Sequence, residues 1–229
     1  VIYIVGIGPG DKKYLTLKSI EIVNNADIIV GSKRALNLFQ TIGKKYDESK
    51  TNEVGFKQRS QQFHTLTKNL KSELYELLQK NKDKNIVVLS TGDPCFSGLL
   101  KTILSYEFIS KDDLEVISGI SSIQIAAAKL KISWEDYHIL TLHGKENNRK
   151  LLLELIKNGE KVIFLPGDLK EDIEFLIKNG IDPERKITVC ENLTYENERI
   201  IYDSLKNILL YDEFSYLCVC IMGCNEYML

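Results

Sequence analysis

The sequence predicts an α/β fold built as two lobes of unequal size. Short, unbroken apolar runs such as Ile86-Val87-Val88-Leu89 alternate with longer stretches whose apolar positions recur every three or four residues, the signatures of buried parallel strands and amphipathic helices. Several of these runs stop at glycine, serine or an Asp-Pro pair, as strands that feed ligand loops do in open α/β sheets. A chain of 229 residues, 44% hydrophobic and 27% charged, is long and apolar enough to bury a core without disulfides.

The elements follow in order. Val1 to Val5 reads as a strand that ends at Gly6, and Thr16 can cap a helix that buries Leu17, Ile20, Ile22 and Val23. Asp27 to Gly31 is a second short strand, followed by a helix over Arg34 to Phe39. Residues Thr41 to Lys57 are read as loop with a short strand near Val54. A long helix is expected from Ser60, because Leu66, Leu70, Leu74, Leu77 and Leu78 form a three-four repeat; Asn81 to Asn85 ends it. Ile86 to Leu89 stops at Ser90-Thr91-Gly92-Asp93-Pro94. A helix over Gly98 to Tyr106, a strand over Leu114 to Ile117, and the turn Ser118 to Ser122 lead into a helix over Ile123 to Leu130. Trp134-Glu135-Asp136 is read as the junction, giving lobes 1–134 and 135–229. Beyond it four strands are expected, Ile139 to Leu142, Val162 to Leu165, Ile187 to Cys190 and Tyr216 to Met222, with helices over Leu151 to Ile156 and Glu171 to Ile177. Asn179-Gly180 and Asp182-Pro183 break the chain after the second of these helices.

Composition excludes several classes. The longest apolar runs, such as Leu217 to Met222, fall far short of the ~18 residues of a membrane span. The apolar start lacks the basic flank and small-residue cleavage site of a signal peptide, so a cytoplasmic location is expected. Five cysteines (Cys95, Cys190, Cys218, Cys220, Cys224) show no repeated pair spacing, so no metal site is expected, and they read as thiols of a reduced compartment. Net charge is −2, but residues 1–134 hold 19 Lys and Arg against 14 Asp and Glu, and the remainder hold 11 against 18. A basic lobe can steer an anionic ligand. There is no dense Lys/Arg stripe with interleaved aromatics, so no nucleic-acid partner is expected.

The chemistry lies in three strand-end turns: Gly6-Ile7-Gly8-Pro9-Gly10-Asp11, Ser90 to Pro94, and Ser118-Gly119-Ile120-Ser121-Ser122. All bring main chain close to a guest. The first departs from a dinucleotide fingerprint, since its third glycine comes one position early, Pro9 removes an amide donor, and Asp11 would repel pyrophosphate. The second strand also ends in Val30-Gly31 without the expected acidic residue. No Gly-Lys-Ser/Thr completes a P-loop. Asp93 can accept from an amino or hydroxyl group, and Ser121 and Ser122 can donate hydroxyls and amides. Taken singly, Asp93 reads as a turn residue before proline and Ser122 as an N-cap.

Taken together, these turns resemble the tetrapyrrole methylase family, S-adenosylmethionine-dependent enzymes that methylate precorrins on the way to cobalamin. The likeness runs over Val5 to Asp11 with Leu15-Thr16-Leu17, then Gly92-Asp93-Pro94, then Gly119 to Ser122. Further segments resemble one branch, the cobalt-precorrin-7 C5-methyltransferases: Val30 to Arg34, Ser133 to Asp136, Leu142-His143-Gly144-Lys145, Cys190-Glu191-Asn192-Leu193, and Glu198-Arg199-Ile200. Thr194 stands where many of those relatives have glycine, so that loop is expected to differ in shape. The resemblance implies two α/β lobes with the cofactor in the cleft between them, and a homodimer. Because the sequence stops at Leu229, it also implies a separate C15-methyltransferase/decarboxylase as partner. By motif position, Pro9, Gly92, Asp93, Phe96, Ser121 and Ser122 are the implied cofactor contacts, with Leu165 from the second lobe. Lys33, Arg34, His143, Lys145, Glu191 and Asn192 are candidates to face the tetrapyrrole, or are surface loop residues.

Methyl transfer from a sulfonium is an in-line displacement on an already activated donor. The protein must align carbon, methyl and sulfur and exclude water, which suits a sequence without a recognisable triad or close acid pair. His143 is a candidate base because imidazole titrates near neutrality. Diphthine synthase or another precorrin methyltransferase would share the same three turns, and a non-catalytic α/β module binding an adenosine ligand is an alternative from another class.

Overall fold

The computed structural model describes residues 1–46 and 61–223. It forms two compact units, Val1–Ser121 and Ser122–Leu229. The junction expected near residue 134 falls inside the second unit, because the helix that precedes it packs on that unit's central strand.

The first unit runs β1 (Ile2–Gly6), α1 (Leu17–Asn24), β2 (Ile28–Gly31), α2 (Lys33–Tyr46), β3 (Gln62–Thr65), α3 (Leu70–Lys80), β4 (Ile86–Ser90), α4 (Leu100–Ile103) and β5 (Leu114–Ile117). Its five strands are all parallel, in the order β3-β2-β4-β1-β5. Successive residues alternate between two cores, which explains why β2 and β4 are apolar throughout. Val5, Ile29, Val87 and Leu89 pack with Val23 of α1 and Leu36 of α2. Ile4, Ile28, Val30, Ile86 and Val88 pack on the other face with Leu74 and Leu78 of α3. Thr16 caps α1 as expected, its hydroxyl accepting the Ser19 amide at 3.1 Å.

Residues 62–65 depart from the expected helix. They pair in parallel with β2, and α3 begins only at Leu70. Main-chain capture decides this. The Gln61 side-chain amide donates to the carbonyls of Val23, Asn24 and Ala26, and the Leu66 amide donates to Gly31 at 2.8 Å. Leu66 does join the core beside Leu70 and Leu74, so its spacing mimics a helical repeat while its backbone leaves a strand. The helix after β2 extends to Tyr46, where loop was expected. The strand expected near Val54 lies outside the described residues, as does Cys224.

The second unit runs α5 (Ser122–Leu130), β6 (His138–Thr141), α6 (Glu146–Lys157), β7 (Val162–Leu165), α7 (Leu169–Lys178), β8 (Lys186–Glu191), β9 (Arg199–Ser204), α8 (Leu205–Ile208) and β10 (Cys218–Met222). The sheet order is β6-β7-β10-β8-β9. β6 and β7 are parallel, whereas β10 is antiparallel to both β7 and β8, and β9 is antiparallel to β8. The carboxyl ends of β6, β7 and β8 therefore share one edge. Phe164, Ile187, Val189, Cys218 and Cys220 fill its core with Leu152 and Ile156 of α6 and Ile173 and Leu176 of α7. β9 was not expected. Three of its six residues, Arg199, Tyr202 and Asp203, are charged or aromatic and polar-tipped, and only Ser204 is fully buried, so an outer strand of this kind carries little hydrophobic signal.

Candidate functional site

In the first unit β1 lies between β4 and β5, which sets the three strand-end turns side by side. They touch through main chain. A Cβ on Gly6 would lie 2.4 Å from the Gly119 nitrogen, and one on Gly119 would lie 2.2 Å from the Gly92 carbonyl oxygen. Only glycine permits that approach. Gly8 and Gly92 add a short antiparallel bridge, with the Gly92 amide donating to Gly8 at 2.8 Å.

Asp93 ties the same turns together. Its Oδ2 accepts the Gly119 amide at 3.1 Å, and its Oδ1 accepts the Cys95 amide at 2.8 Å. These bonds bear out the turn reading of this residue. Pro9 is buried, and Phe96 and Ser121 are half-buried along this edge. Gly92 has φ of +67°, and a Cβ there would find nothing nearer than the Ser121 Cα at 3.9 Å. The space over Gly92 on that side is therefore open up to the Ser121 main chain. Arg34 reaches the same edge from α2, its guanidinium donating to the Thr91 hydroxyl at 3.2 Å, whereas Lys33 is exposed. Cys95 is exposed; partial burial and the Asp93 charge push its thiol pKa up.

The second unit carries the other candidates on its shared edge. His143 and Lys145 are exposed in the turn after β6, and Leu165 is half-buried at the end of β7. Ser122 opens α5, also half-buried. The His143 ring stands in surroundings whose desolvation lowers its pKa, against a smaller upward pull from Asp172. Beside the turn after β7 opens a cavity of ≈ 270 Å³, walled by Pro166, Gly167 and Asp168 on one side and Phe214, Ser215 and Tyr216 on another.

Two buried carboxylates support this edge, and only one of them, Glu191, is among the candidates read from the sequence. Glu191, 5% exposed, accepts Arg199 Nε at 2.6 Å through Oε2 and the Ser215 amide through Oε1. The Arg199 guanidinium also lies 5.2 Å from the Phe214 ring centroid and donates to the Glu213 carbonyl. Glu191 thus holds chain inside its own unit, and Asn192 follows it at φ +50°. Thr194 adopts φ +73° and gives its amide to Glu198 at 2.7 Å, so this loop keeps a left-handed turn suited to glycine although a β-branched residue occupies it.

The second carboxylate, Asp172 of α7, is fully buried. Its Oδ1 accepts Arg149 Nε and Nη2, each at 2.7 Å, and its Oδ2 accepts the Gly167 amide at 2.8 Å. Burial pushes its pKa up, while the Gly167 amide and Arg149 pull it down. Partners 23 residues apart leave no local pattern in a sequence.

Cys190, Cys218 and Cys220 are buried free thiols. Burial, with Glu191 adding to it, pushes Cys218 up to about 12, so it stays protonated at neutral pH. No group of three or more potential metal ligands occurs among the described residues. No helix among them is long and apolar enough to cross a membrane.

Residues 1–209 match the family model of the tetrapyrrole (corrin/porphyrin) methylases. Over 228 residues the chain is 64% identical to a protein of Methanocaldococcus jannaschii named as a probable cobalt-precorrin-7 C(5)-methyltransferase, with 99% of each chain covered. The cobalamin biosynthesis precorrin-6Y methylase of Archaeoglobus fulgidus superposes with a TM-score of 0.69 at 25% identity, covering 98% of both chains. A uroporphyrin-III C-methyltransferase from Thermus thermophilus, solved in complex with S-adenyl homocysteine, has the same fold, with a TM-score of 0.67 at 19% identity over 97% of this chain and 91% of that one.

Proposed function

The chain belongs to the tetrapyrrole methylase family, and from that premise we propose that it is an S-adenosylmethionine-dependent C-methyltransferase that methylates C5 of cobalt-precorrin-7 in cobalamin biosynthesis. The observation that carries this reading is the 64% identity across 99% of both chains with the Methanocaldococcus protein of that name. The matched region covers every segment that distinguishes the branch, from Val30-Gly31 to Glu198-Arg199-Ile200. The same reading places the enzyme in the cytoplasm as a homodimer.

The open space over Gly92, where an added Cβ would meet only the Ser121 Cα at 3.9 Å, supports a nucleoside seated there. Pro9, Gly92, Asp93, Phe96, Ser121 and Ser122 would hold the cofactor, together with Leu165. Bound there, S-adenosylmethionine supplies a methyl group already activated on sulfur. The chain's contribution is positional. Asp93 locks the three turns to one another and keeps acceptor capacity for a hydroxyl or amino group. Phe96 would give an apolar surface that excludes water, and fixing the reacting geometry is worth up to about 7–11 kcal/mol. Arg34, Lys33 and Lys145 would be the cations that attract the carboxylate arms of the macrocycle. His143, whose pKa desolvation lowers, would be the imidazole that accepts the proton released when carbon gains the methyl. Glu191, bonded to Arg199 and the Ser215 amide, would support this edge, and Asn192 beside it would face the tetrapyrrole.

Incubation with methyl-labelled S-adenosylmethionine and cobalt-precorrin-7 is expected to place one labelled methyl at C5, located by carbon resonance. Label at another carbon, or none, overturns the proposal. Gly92→Leu, filling that space, is expected to abolish calorimetric binding of S-adenosylhomocysteine while circular dichroism remains that of the wild type.

A further inference from the structure

We infer that Asn158-Gly159 is the chain's site of spontaneous deamidation, and that Asn179-Gly180, identical to it in local sequence, is protected by the fold. The pentapeptide Leu-Ile-Lys-Asn-Gly occurs at 155–159 and again at 176–180, and these hold the two Asn-Gly pairs of the sequence. Asparagine is most labile before glycine, because no side chain shields the glycine nitrogen. Chemistry alone therefore treats the two sites alike.

The reaction consumes water and releases ammonia. The Gly159 nitrogen, giving up its proton, attacks Asn158 Cγ; the bond from Cγ to the side-chain nitrogen breaks, and that nitrogen takes a proton and leaves as ammonia. Water then opens the five-membered imide at either carbonyl, giving aspartate or isoaspartate, the latter with one more carbon in the main chain. Either product puts a carboxylate at the end of α6, where a helix favours cations.

Both helices end in the same hydrogen-bonded turn. After α6, Gly159 has φ of +78° and donates its amide to Ile156 at 3.1 Å, and the Glu160 amide donates to Leu155 at 3.0 Å. After α7, Gly180 has φ of +97° and donates to Ile177 at 3.0 Å, and the Ile181 amide donates to Leu176 at 3.1 Å. With its N–H engaged, neither glycine nitrogen is free to attack, so the reaction runs through local opening of the last turn.

What differs is the residue after the glycine. Ile181 is 7% exposed and packs in one core cluster with Leu176. Glu160 is exposed, as are all residues from 157 to 161, and its contact with His138 at 3.5 Å is an exposed pair worth little. The Asn179 side-chain amide also donates to the Phe175 carbonyl at 2.8 Å, a bond that the Asn158 side chain does not make among the described residues. Opening the turn after α7 thus withdraws an isoleucine from the core and breaks a side-chain bond, and opening the turn after α6 does neither.

The test holds the full chain in mildly alkaline buffer, with and without urea, and follows conversion at each asparagine by peptide mapping, with isoaspartate recognised by its resistance to aspartate-specific cleavage. In the folded chain Asn158 is expected to convert at least about tenfold faster than Asn179. In urea, where only local sequence remains, the two are expected to agree within about twofold. Similar rates in the folded chain, or a difference that persists in urea, overturn the inference. Ile181→Ala loosens the anchor and is expected to raise the Asn179 rate about fivefold or more while leaving Asn158 unchanged; acceleration of both sites, or of neither, overturns the part given to Ile181.

Discussion

The two units solve the same problem with opposite materials. In the first, neighbouring turns at the carboxyl edge meet through bare main chain, Gly6 against Gly119 and Gly119 against Gly92, with one carboxylate, Asp93, as tie. In the second, the turns at the edge are held from beneath by charged side chains, Asp172 with Arg149 and Glu191 with Arg199. The difference teaches where each unit is fragile. An edge made of missing side chains fails when an atom is added, and an edge made of paired charges fails when one partner is taken away.

The largest expected effect comes from adding a methyl group to the first edge. Gly119→Ala would place Cβ 2.2 Å from the Gly92 oxygen, and the turns must separate, costing about 3 kcal/mol or more. The urea midpoint measures it. The same addition in the second unit, Gly144→Ala, meets nothing within 4 Å and is expected to cost only the ~1 kcal/mol of a positive φ. Equal costs at the two glycines would break the contrast.

Deletion on the charged edge ranks next. Glu191→Ala strands the Arg199 guanidinium and the Ser215 amide. Breaking a buried pair costs about 3–5 kcal/mol, but Arg199 is 41% exposed and water recovers part of that, so about 2 kcal/mol is expected. Glu191→Gln, which keeps both acceptor directions in part, should lie between. A midpoint unchanged in Glu191→Ala would show that this edge does not depend on its charge.

The smallest effect has the opposite sign. Thr194 occupies φ +73°, where a β-branched residue is strained by about 1–3 kcal/mol, whereas glycine adopts it freely at some cost in unfolded-state entropy. Thr194→Gly should therefore raise stability by about 1 kcal/mol. A lower midpoint would mean that the threonine's own contacts outweigh its backbone strain.

What the sequence reveals follows from the same division. The first edge is legible because glycine, proline and Asp-Pro at strand ends are local signals, and the strands preceding them, buried on both faces, read as unbroken apolar runs. Thr16 could be recognised as a cap for the same reason: its partner, Ser19, is three residues away. The second edge is much less so. Glu191 stands out only by its neighbours in the chain, and Asp172 finds Arg149 through the packing of α6 and α7 on one sheet, which no short window contains. β3 and β9 were missed through weak alternation. All four residues of β3 are exposed, and the leucine repeat that begins at Leu66 outweighs them until Gln61 and the Gly31 carbonyl fix the backbone.

The placement of β10 has a consequence for how the protein is made. Its strand, Cys218–Met222, lies between β7 and β8, which never pair with each other. While the polypeptide is still leaving the ribosome, the first unit holds all five of its strands once residue 117 has emerged, but the later sheet exists as two unjoined ribbons, β6 with β7 and β8 with β9, each presenting an open edge. Only the arrival of residues 218–222 welds them. Nascent chains stalled before that point are thus the species with most to gain from a chaperone.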